Sequence, residues 1–338
     1  MAENKQQHFV AKSYLKSFCL QNTESLYRFD LVASKSKKRN IEKIFREPYF
    51  YADGSVAPIF ELALSALEDK HGQTIQQILK TQTLTITSLK DFMYLHLLVL
   101  ITKTRTKASR EEIEDMARSS LIRKLPYLAE SEMAREALNK FIEQKSPHLD
   151  VLKFVSKHSY AVTDLAPTLL INKTDPFTPF ITSDSPVIFH NLIDGDLTGL
   201  ICKGLIIVLP LNEKVALCLF DIYRYKPKNV INNNIVVSDN KDVNTLNRLH
   251  IINAAGFLIF SKQQYHDYVL SLQTDLLWNP LNKPNSLKLS FFEIYNEDSF
   301  RGDRLFEPRN GEIAASLNEA IKEIRKEVTS LPSDRART

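Results

Sequence analysis

The sequence is short of the residues that mark specialised classes of protein. Cys19, Cys202 and Cys218 are its three cysteines in 338 residues, too few and too scattered for a disulfide framework or a cysteine-type zinc site. Their apolar settings fit reduced, buried thiols in a cytoplasmic protein. Eight glycines leave no Gly-rich linker, and no internal repeat is visible. The longest apolar run, FMYLHLLVLI over 92–101, falls well short of the ~20 residues that span a bilayer, so no membrane partner is expected. The N-terminal MAENKQQ is polar and lacks the apolar stretch of a signal peptide. Charge of one sign is scarce too: 44 basic against 40 acidic residues give a net charge of +4, a weak pull toward polyanions. The G-x-S-x-G elbow, the P-loop, G-x-G-x-x-G, H-E-x-x-H and paired C-x-x-C are all missing, which removes the usual support for serine hydrolases, nucleotide switches and zinc proteases.

What is present reads as an α+β protein. Residues 8–20 carry Phe9, Leu15 and Phe18 at mixed helical spacings, and a short N-terminal helix is expected there. SLYRFDL (25–31) alternates like a strand, and the basic KSKKRN (35–40) follows as a turn or hairpin tip. From Pro58 the pattern turns helical for about twenty residues, with Pro58 suited to the first turn. SLKDFMYLHLLVLITKTRT is apolar all round, the mark of a central helix. Amphipathic helices are expected over 109–145 and another in the tail beyond Asn310. Between 155 and 262, short apolar segments bounded by Pro, Asn, Asp and Gly read as one mixed or antiparallel sheet of five or six strands. The expected organisation is a hairpin and helical region over 1–150, packed on a sheet region with a C-terminal helix over 151–338, in one compact unit or two.

Several polar residues stand out against this frame. A helix over 8–20 would put His8 and Lys12 on one face, with Tyr14 on another, presenting an imidazole and an ammonium to an anion. Glu61 and Glu68 lie on nearly one face of a helix, roughly 10 Å apart along its axis. Such carboxylates serve a hard cation or an acid–base pair if other ligands complete the site, and solvent is their other partner. Lys103, Arg105 and Arg110 gather where the apolar helix ends, suited either to its dipole or to a phosphate. FITSDSPVIFHN places Ser183 and Asp184 in a polar turn between two strands, where they serve either function or the turn itself. His96, alone among Leu and Val, reads as a hydrogen-bonded core residue.

Taken in order, these stretches resemble the DUF4238 family, whose function is not established. The resemblance rests on HFVAKSYLKSF at His8, Val10, Tyr14, Leu15 and Phe18, on PYFYADG, on FELALSALE with Glu61 and Glu68, and on RTKASR with Arg105 and Arg110. It continues through the T-S-D-x-P-V turn at 182–187 and VNTLNRLHIINAAGFLIF with Asn244 and Asn247. Two departures are visible: Ala11 and Lys107 stand where the family favours proline. The resemblance implies a common pocket, and two functions follow from it. One is a metal-dependent hydrolase of phosphodiesters or nucleotides, acting as a toxin or anti-phage effector. There His8, Tyr14, Glu61 and Asp184 are catalytic, and Lys12, Arg105, Arg110 and Ser183 hold phosphate. Glu61, Glu68 and Asp184 hold a metal such as Mg²⁺ or Mn²⁺. The other is a non-enzymatic module whose basic patches at 35–40 and 102–110 bind nucleic acid, a nucleotide or a protein. The same charges equally suit a network tying the helices to the sheet.

Overall fold

The computed structural model describes residues 6–51, 57–115, 119, 162–193, 198–200, 202–278 and 287–295, with the backbone alone for 57–63. The tail helix and most of the helices expected over 109–145 lie outside them. The α+β class holds. Five helices, α1 (Lys12–Leu15), α2 (Ala57–Thr81), α3 (Leu89–Thr104), α4 (Asn240–Asn253) and α5 (His266–Trp278), accompany strands gathered into several sheets, and a further helical stretch runs over 107–115.

Besides a two-stranded antiparallel pair of β10 (Tyr225–Pro227) and β14 (Phe292–Ile294), the large sheet has six strands. They are β5 (Leu165–Asn172), β7 (Ile188–Asn191), β8 (Leu205–Pro210), β9 (Val215–Asp221), β11 (Val230–Ile231) and β12 (Asn234–Val237), in the order β11-β12-β5-β9-β8-β7. Only the β12–β5 pair is parallel, so the sheet is mixed. Side-chain parity shows why these segments are apolar throughout. Odd-numbered residues such as Leu169, Ile207 and Leu217 share a buried cluster with Met93–Ile101 of α3, while even-numbered Leu170, Ile206 and Cys218 share another with Val243 and Leu246 of α4. A strand covered on both faces has no polar side to show.

The apolar segments between 155 and 262 read as one sheet, and the structure divides them between two. β13 (Phe257–Phe260) instead joins a four-stranded antiparallel sheet, order β3-β2-β13-β6, with β2 (Ser25–Asp30), β3 (Lys35–Asn40) and β6 (Thr182–Ser183). KSKKRN is therefore the strand β3, not the hairpin tip; the tip is 31–34, where Asp30 Oδ1 accepts the Val32 and Ala33 amides at 3.0 and 2.9 Å. An edge strand exposed on both sides needs no apolar residue, and lysines there deter pairing with another chain.

The N-terminal expectation also changes. Gln6–His8 is a strand, β1, paired with β4 (Arg46–Pro48), and helix starts only at Lys12, after Ala11 at φ −58°, ψ 132°. His8 and Lys12 therefore do not share a helix face. Phe9 completes the entry, its amide donating to Phe45 O at 2.8 Å and its ring meeting those of Phe45 and Phe50. Phe45 holds φ at 54° to do so, a left-handed conformation uncommon for a bulky residue. α1 then crosses α2 at Gly72, where an added Cβ would lie 2.9 Å from Ser13 Cβ, so only glycine lets the two backbones approach this closely. α3 begins as its sequence suggests: Ser88 Oγ accepts the Asp91 amide at 3.1 Å, and Asp91 accepts the Thr87 and Ser88 hydroxyls. Among the described residues no helix is long and apolar enough to cross a membrane.

Candidate functional site

Arg105 caps the C-terminal end of α3 and is only 3% exposed. A guanidinium so far from water needs acceptors on every side. Glu68 of α2 supplies one, with Oε1 2.6 Å from Nη2, and His8 of β1 supplies its backbone oxygen to the same nitrogen at 2.6 Å. Nε donates to the Tyr51 hydroxyl at 3.2 Å. Tyr51 Oη lies 3.2 Å from the same His8 oxygen and 3.4 Å from Arg105 O. One arginine thus ties α2, α3, β1 and the loop after β4 into a single charged network.

Two imidazoles adjoin it. His8 is hydrogen-bonded to the Ile41 backbone, and its Nε2 is buried with no partner among the described residues. Burial lowers its pKa below the ordinary imidazole value, helped by Lys12 and opposed by the Ile41 hydrogen bond and then by Glu68 and Glu42, which favours the neutral ring. His71, one turn beyond Glu68 on α2, is buried with Nε2 unpartnered among the described residues; burial and then the Arg105 charge push its pKa down to about 3. Lys12 itself pairs with Glu42 on the surface. Arg110 lies over the Phe50 ring at 5.2 Å and pairs with Glu114 at 3.0 Å, one aromatic layer from the cluster, since Phe50 stacks edge-on against Tyr51 at 4.9 Å.

Asp184 does not join this group. Its Oδ1 accepts the Ala255 amide at 2.9 Å and its Oδ2 the Phe257 amide at 3.1 Å, with Gly256 a third backbone donor. Burial raises its pKa to about 6, against the pull of those amides. The turn around it is equally engaged. Ser183 Oγ donates to Ser185 O at 2.8 Å, and Asn253 Nδ2 donates to Ser185 O and Val187 O at 2.9 and 3.1 Å. Asn247 clamps the strand before it, accepting the Ile181 amide at 3.1 Å and donating to Pro179 O at 2.8 Å. Tyr14 reaches this side of the molecule: its hydroxyl lies 2.8 Å from Thr182 Oγ1 and donates to Pro210 O at 2.8 Å.

The residues singled out in the sequence therefore divide. His8, Glu68 and Arg105 meet directly, with Arg110 close by; Tyr14, Ser183 and Asp184 belong to the sheet junction. No hydrogen bond or ion pair joins Asp184 to His8, Glu68 or Arg105 among the described residues. Glu61 lies two turns before Glu68 on α2, and its side chain is outside the described set. No group of three or more His, Cys, Asp or Glu side chains able to hold a metal ion occurs among the described residues. His96 is the core residue expected, bonded to Phe92 O and Leu165 O at 2.8 and 3.1 Å. All three cysteines are free, Cys218 buried and Cys19 and Cys202 half-buried.

Tyr51, His71 and Arg46 were not read from the sequence as site residues. Tyr51 sits in PYFYADG, whose aromatic density was the available signal. His71 precedes the glycine that lets α1 in, and Arg46 lies opposite His8 in the β1–β4 register.

A family model described as a protein of unknown function, DUF4238, matches residues 6–264. The chain belongs to the DUF4238 family. The match takes in both halves of the arrangement above, the His8–Glu68–Arg105 network and the Asp184 turn. No curated protein matches the chain, and no solved structure does. Ala11 and Lys107, the two positions where the resemblance implies proline, are both shaped for one. Ala11 has φ −58°, within proline's range. Lys107 is the first residue of the stretch over 107–115, whose third amide donates to Thr106 Oγ1 at 3.2 Å, and proline is favoured at that first position. In place of a ring, Lys107 reaches Glu47 of β4 at 2.6 Å.

Proposed function

We propose that this DUF4238 chain is a hydrolase of phosphate esters, with His8 as general base. The observation that carries the reading is the state of that imidazole: one nitrogen oriented by the Ile41 backbone, Nε2 unpartnered among the described residues, and a lowered pKa that favours the neutral ring. Because Nε2 is buried, the reaction requires an opening that admits substrate and water; the base then takes a proton from water as the water oxygen attacks phosphorus, the P–O ester bond breaks and the leaving oxygen is protonated from solvent. Arg105 is the positioning residue, since its donors hold the His8 backbone and Glu68 rather than facing outward. Arg46, exposed and opposite His8 in the ladder, is the cation assigned to the developing phosphoryl charge. The second oxygen of Glu68 is the ligand this reading offers to Mg²⁺ or Mn²⁺, and comparison with a chelator tests that cofactor. Asp184, with both oxygens on backbone amides, leaves the proposed ligand set. Degradation of cellular nucleic acid by such an enzyme is the chemistry a toxin or anti-phage effector needs.

A non-catalytic binding module is the second reading, favoured by how fully Arg105 and Asp184 are consumed by protein partners. The two separate in one experiment. Purified chain is incubated with nucleoside triphosphates and with single-stranded oligonucleotides, with Mg²⁺, Mn²⁺ or a chelator, beside His8→Gln. The hydrolase reading expects turnover that falls roughly 100-fold or more in His8→Gln at unchanged melting temperature, with an acid limb below the ordinary imidazole pKa. Equal turnover in His8→Gln overturns the role of His8. Ligand binding with no turnover under any condition overturns the enzyme and leaves the binding module.

A further inference from the structure

The strand β3 is strongly cationic. Lys35, Lys37, Lys38 and Arg39 are all exposed, and Lys43 and Arg46 continue the series toward β4. None of these six forms an ion pair among the described residues, although acids are close in sequence. Those acids are committed elsewhere: Glu24 to Lys16, Glu42 to Lys12, Glu47 to Lys107, and Asp30 to the Val32 and Ala33 amides. The positive charge of this segment is thus left without internal compensation.

The placement is ordered as well as charged. Lys35, Lys37 and Arg39 alternate onto one face of β3, roughly 7 Å from one to the next. On that face Lys37 stands opposite Arg28 of β2, whose guanidinium covers the Phe257 ring at 4.1 Å. The chain then passes through Ile41, the hydrogen-bond partner of His8, and reaches Arg46, paired with His8 in the β1–β4 ladder. Tyr49, 43% exposed, follows at the end of β4.

We infer that β3 and the segment to Arg46 form a track for the backbone of a single-stranded nucleic acid, leading its phosphates to His8. The spacing of cations along one extended strand suits the repeat of an extended phosphodiester chain. The solvent-facing Tyr49 ring and the Arg28–Phe257 pair offer the stacking surface that unpaired bases use. A duplex hides those base faces. The inference rests on the proposed hydrolase only for what happens at His8; binding along β3 stands or falls separately.

The test is fluorescence anisotropy of the full chain with a labelled oligothymidylate, an oligouridylate and a duplex of equal length, across a salt series without divalent ions. The triple variant Lys35→Ala, Lys37→Ala, Arg39→Ala is compared with a control that loses the same charge from other exposed sites, Lys214→Ala, Lys226→Ala, Lys241→Ala. Both are first matched to wild type by thermal melting. The expected result is at least tenfold weaker single-strand binding in the track variant, with the slope of log K against log salt smaller by about 2, given roughly 0.7 per phosphate contact. The control should bind as wild type does. Equal loss in both variants, no loss in either, or tighter binding of duplex than of single strands overturns the track, and the lysines then serve only to protect a sheet edge. Binding that follows this pattern while His8→Gln leaves oligonucleotide turnover unchanged keeps the track and removes His8 as the general base; binding with no turnover keeps the track and removes the hydrolase.

Discussion

Arg105 and Asp184 are almost equally withdrawn from water, 3% and 5% exposed, yet the chain satisfies them by different chemistry. Arg105 faces an opposite charge, a backbone oxygen and a phenol drawn from three separate segments. Asp184 faces backbone amides, those of residues 255–257 and its own. A guanidinium cannot shed its proton in a protein, so its partners must be permanent acceptors. A carboxyl can, and the raised pKa of Asp184, about 6, marks it as the member of the pair whose charge is conditional. Both arrangements are assembled by tertiary packing: the first gathers three segments, and the second joins one carboxyl to a turn 71–73 residues further along the chain.

The largest expected effect is at the arginine. Arg105→Met strips Glu68, the His8 oxygen and Tyr51 of their common donor, and the loss on removing one member of a buried charged network is about 3–5 kcal/mol. Arg105→Lys restores the charge but not the fork, and recovers only part of it. Asp184→Asn leaves an amide nitrogen facing a backbone N–H, at about 1–3 kcal/mol. Urea unfolding of the three variants ranks them. A smaller loss for Arg105→Met than for Asp184→Asn reverses the comparison.

Titration sharpens it next. Asp184 has a folded pKa raised above its unfolded value of about 3.9, so its contribution is fully present below that value and is lost as pH rises through about 6. His71 has a folded pKa depressed to about 3. Its contribution is present above the unfolded value of about 6.5 and is lost as pH falls through about 3. The two act in opposite directions between about pH 4 and 6. Melting temperatures measured across that range should fall more steeply on acidification in Asp184→Asn than in wild type, and less steeply in His71→Gln. Parallel curves for all three would mean that neither group titrates as its burial implies.

The smallest effect concerns the proline positions. Ala11→Pro suits φ −58° and should stabilise by about 0.4–1 kcal/mol through the unfolded chain. Lys107→Pro gains the same advantage but gives up the Glu47 ion pair, worth about 0.2–1 kcal/mol at a surface, so it should fall near zero. Thermal melting of the two single variants checks both. Destabilisation by Ala11→Pro would show that its backbone is less proline-like than its angles.

The long helices and the strands of the large sheet were legible because their side chains are apolar in a pattern that burial alone explains. α3 is apolar all round and lies central, and β8 is buried at each of its six positions. What the sequence hid was pairing at a distance. KSKKRN has no apolar residue to alternate, so nothing in it announces a strand; β2 makes it one. His8 sits in a stretch whose apolar spacing suits a helix, and the β1–β4 ladder decides otherwise. The polar set resembled one pocket because one short motif follows another along the chain. Asp184 and Arg105 nonetheless answer to separate neighbours, and sequence order carries no distance. His71 and Tyr51 were missed for a related reason: each matters through Arg105, which lies in another element.

The order of manufacture bears on how the first thirty residues behave. Tyr14 finds its acceptor on Pro210, and β2 finds its partner strand at Phe257–Phe260. A ribosome delivers these N-terminal residues first and their partners only after most of the chain has emerged. During that interval Tyr14 and Phe29, both buried in the finished protein, lack their distant partners, and the nascent chain must keep them from other molecules until β13 arrives. The lysines of β3, already synthesised beside them, keep that waiting segment hydrated and poorly suited to pairing with a neighbour.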